Sequence, residues 1–169
     1  MSQELPKEVF EIRHQTTNSK GEPREVVYRE DDPLKGMEGK EWGSARGCCL
    51  YGDKMIIVRS RGHWGVPGGR IEPGETLEQA LVREVKEETN MRVLHHELIG
   101  YMDIIDPDRT LRNIDFFAEV EPIGPFVADP DVSVTEIKEI DPKDVKEYFD
   151  WGDMGDRVIA QSLRMKEAK

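Results

Sequence analysis

Residues 68–91 read GGRIEPGETLEQALVREVKEETNM: a glycine loop, a Pro-Gly turn and then a run with helical periodicity. Thr76 and Gln79 stand at capping-box spacing, and Glu75 and Glu78 suit the positive end of a helix dipole, so the spacing predicts a helix from Thr76 to Thr89. Leu77, Leu81 and Val85, with Ala80 beside them, form its inward stripe. At about 100° per residue, Glu84 and Glu88 fall within roughly 20° of Leu77, and Glu87 is one step round. Three carboxylates thus converge on the face that packs inward, at the helix end where acid opposes the macrodipole.

Buried carboxylates without partners are expensive, and three together repel one another. Arg83 and Lys86 are too few to neutralise them and are expected to point mostly elsewhere. A divalent cation with hard oxygen ligands, Mg²⁺ or Mn²⁺, is the economical answer. The alternative is a solvated acidic helix end paired with lysines, which leaves the unfavourable dipole placement to be explained. Gly68-Gly69 and Pro73-Gly74 let backbone groups approach a ligand closely, to hold phosphate oxygens or complete a metal shell. The same glycines would equally serve a tight crossover from strand to helix.

Upstream, residues 45–51 and 54–59 read as a hairpin around Gly52-Asp53, and Met55-Ile56-Ile57-Val58 has the continuous apolar character of a fully buried strand. Residues 62–69 are too rich in Gly and Pro for regular structure. Further upstream, residues 5–30 read as a second hairpin, with Val9, Phe10 and Ile12 in its first arm, turn chemistry at Thr17–Gly21 and Val26-Val27-Tyr28 in its second. Its open edges call for pairing with the main sheet or with another subunit. Residues 31–43 are loop. Downstream, strands are expected at 93–103, 112–120 and 135–140, and a final helix over 156–164 with Val158, Ile159 and Leu163 at helical spacing. The domain plan is an N-terminal hairpin extension over 1–43 and a main domain over 44–169. This mixed order of strands and helices predicts an α/β (α+β) layered domain.

The 169 residues carry 24 Lys+Arg and 35 Asp+Glu, a net charge of −11. The length suits one domain with a core of its own. The acidic balance argues against a dedicated nucleic-acid binder and against an anionic membrane surface. Cys48 and Cys49 are adjacent, too few for a disulfide framework, and His95-His96 lacks ligand spacing, so the cysteines are read as small buried hydrophobes on a strand. The polar N-terminus, without a signal-type apolar run, and the lack of any stretch of transmembrane length predict a cytoplasmic location.

Together these residues resemble the Nudix hydrolase family, whose signature is G-x5-E-x7-R-E-U-x-E-E-x-G-U with U apolar. Gly69, Glu75, Arg83, Glu84, Val85, Glu87, Glu88 and Met91 fall on it in register. Its fixed positions would match by chance at roughly 10⁻⁷ per start site. Asn90 replaces the second glycine, which ends the helix; Asn is the next most tolerant residue at positive φ. The resemblance implies an α/β/α sandwich with a mixed sheet, and hydrolysis of a diphosphate linkage in a nucleoside diphosphate joined to a moiety X. Glu84, Glu87 and Glu88, with the carbonyl of Gly68, would hold Mg²⁺ or Mn²⁺. Arg83 would orient a glutamate and Glu75 would support it. Arg59 and Arg61 could clamp phosphate. Glu136 leads the candidates for general base, with Glu139, Asp131 and Asp129 as competitors.

Pro107, sixteen positions after Met91, gives a weak lean towards ADP-ribose or a nucleotide sugar, although Asp106-Pro107-Asp108 reads equally well as a turn; a nucleoside triphosphate is the other expected substrate. Tyr28, Trp42, Tyr101 and Phe116 are unranked candidates for stacking on a base; Trp64 is read as core, and Trp151 as packing beside the terminal helix. The expected partners are a small-molecule nucleotide and, through the hairpin, a second copy of the chain. The rival function is a catalytically silent module that binds nucleotides as a sensor or regulator. A complete glutamate set favours the enzyme.

Overall fold

The structure is a computed structural model and describes residues 8–128 and 132–169. Asp129 and Asp131 lie outside the described residues. The N-terminal hairpin forms from β1 (Glu11–Thr17) and β2 (Pro23–Arg29), antiparallel. Its turn is organised by Asn18, whose side-chain oxygen accepts from the amides of Lys20 and Glu22, both at 2.9 Å. The central hairpin of β3 (Glu41–Tyr51) and β4 (Lys54–Ser60) turns at Gly52-Asp53 as expected.

Residues 62–69 depart from the expectation of irregular chain. They include β5 (His63–Gly65), paired with β4, and β6 (Gly68–Arg70), paired with β3. The glycines permit this pairing: a Cβ on Gly68 would lie 2.6 Å from the Ala45 carbonyl oxygen. Then come α1 (Leu77–Thr89), β7 (Met91–Ile105), β8 (Thr110–Pro122) and β9 (Val134–Ile140), the strands reaching past their expected ends. A 3-10 helix over Pro142–Glu147 was not anticipated. Its signal is legible: Pro142 follows Asp141, whose side chain accepts from the Lys143 amide. The final helix α2 (Gly152–Glu167) is longer than the expected 156–164, because apolar spacing marks only the packed turns.

The strands make one mixed sheet in the order β1-β2-β7-β8-β3-β4-β5, with β6 on β3 and β9 on β4. β3 and β8 run parallel; the other pairs are antiparallel. Neighbouring residues on the central strands serve opposite faces. Cys49 and Phe116 pack with Leu77, Ala80, Leu81 and Val85 of α1. Cys48 and Phe117 pack on the side covered by Val158, Ile159 and Leu163 of α2. Each fully buried Leu or Val of the α1 stripe contributes about 1.5–3 kcal/mol. The layers are helix, sheet, helix, the α/β/α arrangement that the sequence predicts.

The hairpin is part of this sheet, since β2 pairs with β7 from Glu25↔Ile105 to Arg29↔Tyr101. The following loop is fastened from below by buried Arg112. Its Nη1 donates to the carbonyls of Pro33 (2.7 Å) and Lys35 (2.5 Å), while its Nε and Nη2 donate to Asp103 at 2.8 and 3.0 Å. Lys40 adds a bond to Asp103 at 2.8 Å. Among the described residues, no helix is long and apolar enough to cross a membrane.

Candidate active site

The α1 helix starts as its sequence dictates. Thr76 Oγ1 accepts from the Gln79 amide at 3.1 Å and Gln79 Oε1 accepts from the Thr76 amide at 3.0 Å. One turn in, Arg83 lies at the centre of the acids rather than pointing elsewhere, which corrects the sequence expectation. Its Nε and Nη2 donate to the two oxygens of Glu75 at 2.7 and 2.8 Å, and Nη1 to Glu84 at 2.7 Å and Glu87 at 3.3 Å. Nη2 also reaches the Arg70 carbonyl at 3.0 Å. The reason is directional: long helical side chains lean towards the N-terminus, which carries the guanidinium back to Glu75 on the preceding loop. That fork, with the Glu72 amide, lowers the Glu75 carboxyl to about 2.

Glu84 folds over Gly69. A Cβ there would lie 2.4 Å from the Glu84 carboxyl carbon, so any larger residue would displace this carboxylate. Glu88 is buried, and its Oε1 accepts from the Gly68 amide at 2.6 Å. Burial pushes the Glu88 carboxyl up to about 7 against that hydrogen bond, and the negative charges of Glu84 and Glu87 add to the rise. Burial also raises Glu84, in spite of Arg83. Glu87 is half exposed. Three carboxylates thus share one guanidinium, and a fourth, Glu88, is held only by an amide. This set of hard oxygens with excess negative charge fits a hard divalent cation. Among the described residues, no three His, Cys, Asp or Glu side chains are gathered into a ready cage; Arg83 engages Glu84, and the Gly68 amide engages Glu88. Asn90 closes the helix at φ 55, ψ 37, the left-handed conformation expected there, and its Nδ2 donates to the Pro125 carbonyl at 3.0 Å.

The remaining expected residues lie elsewhere. Arg59 of β4 and Glu136 of β9 are register partners. Arg59 shares its face of β4 with Met55 and Ile57, which pack on the α2 side. Strand alternation therefore sets Arg59 and Glu136 on the face away from α1. Glu139, opposite Ile56, is on the α1 side. Arg61 is exposed in the β4–β5 turn. Pro107 lies in the β7–β8 turn, where Asp106 accepts both Nε and Nη2 of Arg24 and so ties the turn to the hairpin.

A cavity of about 340 Å³ opens on the α2 side. Arg46, Met102, Asp115, Trp151, Met154 and Val158 line it. Arg46 Nε and Nη2 donate to the two oxygens of Asp115, both at 3.0 Å, so the pair brings almost no net charge. Trp151 packs on Phe149 with ring centres 4.7 Å apart and planes tilted by 40°, and its ring lies 5.5 Å from the Arg46 guanidinium. Arg46 is also the register partner of Gly68, so the cavity and the glutamates stand back to back across the β3–β6 pair. Sequence reasoning missed Arg46 and Asp115, although charges inside otherwise apolar strands were a signal. Trp151 does pack at the start of α2, and it is also the aromatic of the cavity. Tyr28, Tyr101 and Phe116 are buried, and Trp42 borders a different hollow beside Leu34 and Leu77.

A family model for the NUDIX domain matches residues 41–161. Human 8-oxo-dGDP phosphatase is 61% identical over 44 residues, 23% of this chain and 14% of that protein. The ADP-ribose pyrophosphatase of Methanocaldococcus jannaschii is 37% identical over 65 residues, 36% and 37% of the two chains. The chain spans less than half the length of the curated relatives it matches. The Bacillus subtilis pyrophosphohydrolase crystal structure superposes with a TM-score of 0.68 over 90% of this chain and 97% of that one, at 19% identity, a likeness of fold. With the domain match covering most of the chain and the glutamate helix in its register, the protein is a member of the Nudix hydrolase superfamily.

Proposed function

We propose that the protein is a metal-dependent pyrophosphohydrolase. It would cleave a diphosphate linkage in a nucleoside diphosphate joined to X, or in a nucleoside triphosphate. The observation that carries this reading is the glutamate set of α1: Glu88 buried, Glu84 partly buried, Glu87 beside them, and Glu88 satisfied only by the Gly68 amide. A further cation would relieve the repulsion and desolvation of this arrangement, whereas an isolated acidic helix end does not need it buried.

Glu84, Glu87 and Glu88, with the Gly68 carbonyl, would hold Mg²⁺ or Mn²⁺. Such a cation, when bound, would supply neutralisation of diphosphate charge and a more acidic water. Arg83 holds Glu75 and Glu84 in place, and its weaker bond to Glu87 (3.3 Å) leaves that carboxylate the freest to turn. The general base is sought within the α1 set, with Glu136, on the α2 side of the sheet, and Glu139, on the α1 side, as its alternatives. The cavity beyond Gly68 is at the small end of ligand sites, the size of one nucleoside, with an indole to stack on and a neutralised ion pair. Two relatives are named for nucleoside diphosphate compounds, in keeping with this class.

The test is release of phosphate or nucleoside monophosphate from ADP-ribose, nucleotide sugars, nucleoside diphosphates and canonical and oxidised nucleoside triphosphates, with Mg²⁺, with Mn²⁺ and with chelator. Turnover of one class that vanishes with chelator is expected. Silence across the panel, with nucleotide binding retained, would overturn the reading in favour of a sensing module.

A further inference from the structure

Two polar clamps join the N-terminal hairpin to α2, and they are unalike. The inner one is Glu30–Arg157. Arg157 donates to Glu30 through Nε at 2.9 Å and Nη2 at 2.7 Å, the Tyr28 hydroxyl donates to Glu30 at 2.7 Å, and the Arg157 guanidinium lies 3.9 Å from the centre of the Phe10 ring. This clamp is largely buried, with side chains 11% and 26% exposed, and it fixes where the hairpin sits. The outer clamp is His14–Asp153, with Nε2 and Oδ1 2.6 Å apart and the side chains 52% and 59% exposed. An exposed pair of this kind adds little to stability. It is, however, at the rim of the 340 Å³ cavity, which His14 and Val26 of the hairpin help to line.

The hairpin lies outside residues 41–161, so this wall is added to the matched domain by the chain's own N-terminal part. The rim also offers what the interior lacks. Arg46 and Asp115 are committed to each other, and Val26, Met102, Met154 and Val158 are apolar. His14 lines the cavity, its partner Asp153 directly precedes the lining residue Met154, and the two exposed side chains offer a carboxylate acceptor and an imidazole donor or acceptor. That pair complements the edge of a heterocycle carrying a ring nitrogen beside an exocyclic amino or oxo group.

We propose that the N-terminal hairpin is a specificity element of the active site, and that His14 and Asp153 read the edge of the substrate's nucleobase held in this cavity. The proposal rests on the reading of the protein as a nucleotide pyrophosphohydrolase. The inner clamp keeps the wall in register, and the outer clamp opens to pair with the base. A base whose edge mismatches the rim leaves polar groups unpaired, the kind of penalty that separates related substrates by large factors.

The experiment measures kcat and KM for ATP, GTP, CTP and UTP in Mg²⁺ with wild type, His14→Ala and Asp153→Asn, and records thermal unfolding of each. Wild type is expected to prefer one base by about tenfold or more in kcat/KM. In both variants KM for the preferred base should rise by about tenfold, kcat should stay within about threefold, and the preference should collapse at unchanged melting temperature. A wild type without base preference, or variants that retain it, would overturn the proposal. If wild type turns over none of the four, the hydrolase reading is decided separately by the wider substrate panel. Calorimetric affinity for the same nucleotides then decides: base-selective binding lost in His14→Ala supports the hairpin's role, and binding without selectivity overturns it.

Discussion

The two faces of the sheet solve different problems with different materials. On the α1 face, the proposed metal-binding glutamates sit on one helix and the loop before it, charges outnumber partners, and burial drives the Glu88 carboxyl up to about 7. On the α2 face, a cavity is assembled from the hairpin, β3, β7, β8 and α2, and its buried charges, Arg46 and Asp115, are mutually satisfied. One face is electrostatically loaded and locally encoded; the other is neutral and assembled from distant segments. The contrast suggests that reaction and selectivity can vary independently, joined only through the β3–β6 pair where Arg46 meets Gly68.

The largest effect should come from the loaded face. Glu87→Gln and Glu88→Gln should each lower kcat by about 10²-fold or more with the fold intact. Near-wild-type rates in both would break the distinction between the faces. Arg83→Ala, which frees Glu75, Glu84 and Glu87 together, should lower kcat by about 10- to 100-fold. Arg83→Lys should recover only part of it, because an ammonium cannot span Glu75 and Glu84 with a fork.

Stability against pH sharpens the same contrast in chelated protein. The folded-state pKa of Glu88, about 7, lies above the usual 4.5, so the folded state holds this proton more tightly than the unfolded one. Its burial penalty is absent below about 4.5, grows from there to about 7 and is constant above. Urea unfolding in chelator should therefore show wild type losing on the order of 2 kcal/mol relative to Glu88→Gln across that window. Parallel pH profiles would show that Glu88 carries no such load.

The neutral face should respond more gently. Trp151→Ala removes the aromatic wall and should raise KM by about tenfold with little change in kcat. Smallest of all is Asn90→Gly. It keeps the left-handed cap and loses the bond to Pro125, so turnover should stay within about twofold and stability within about 1 kcal/mol. A large loss of rate would give Asn90 a role in the site.

The sequence made these faces unequally legible. The α1 helix, its Thr76–Gln79 cap, its buried stripe and its left-handed Asn90 end all follow from local spacing, and the structure reproduces them. Arg83 was misjudged because its partner Glu75 lies on the loop, and helical angles alone do not show which side chains reach back past the N-terminus. The pairing of Gly68–Arg70 with β3 was invisible for a related reason: glycine-rich chain reads as loop until another strand supplies its hydrogen bonds. The N-terminal hairpin announced itself through Asn18 and Gly21, but its attachment to β7 is a long-range fact. The α2 cavity was the least legible, since Arg46, Asp115 and Trp151 meet only after the sheet is formed.

The most direct test of the division between the faces is a kinetic cycle of Glu87→Gln and Trp151→Ala, singly and together, on the nucleotide that wild type turns over best in Mg²⁺. The account predicts that Glu87→Gln lowers kcat, Trp151→Ala raises KM, and the double variant shows both changes multiplied without coupling. A Trp151→Ala enzyme whose kcat falls as far as that of Glu87→Gln, or a double variant no worse than either single one, would contradict it.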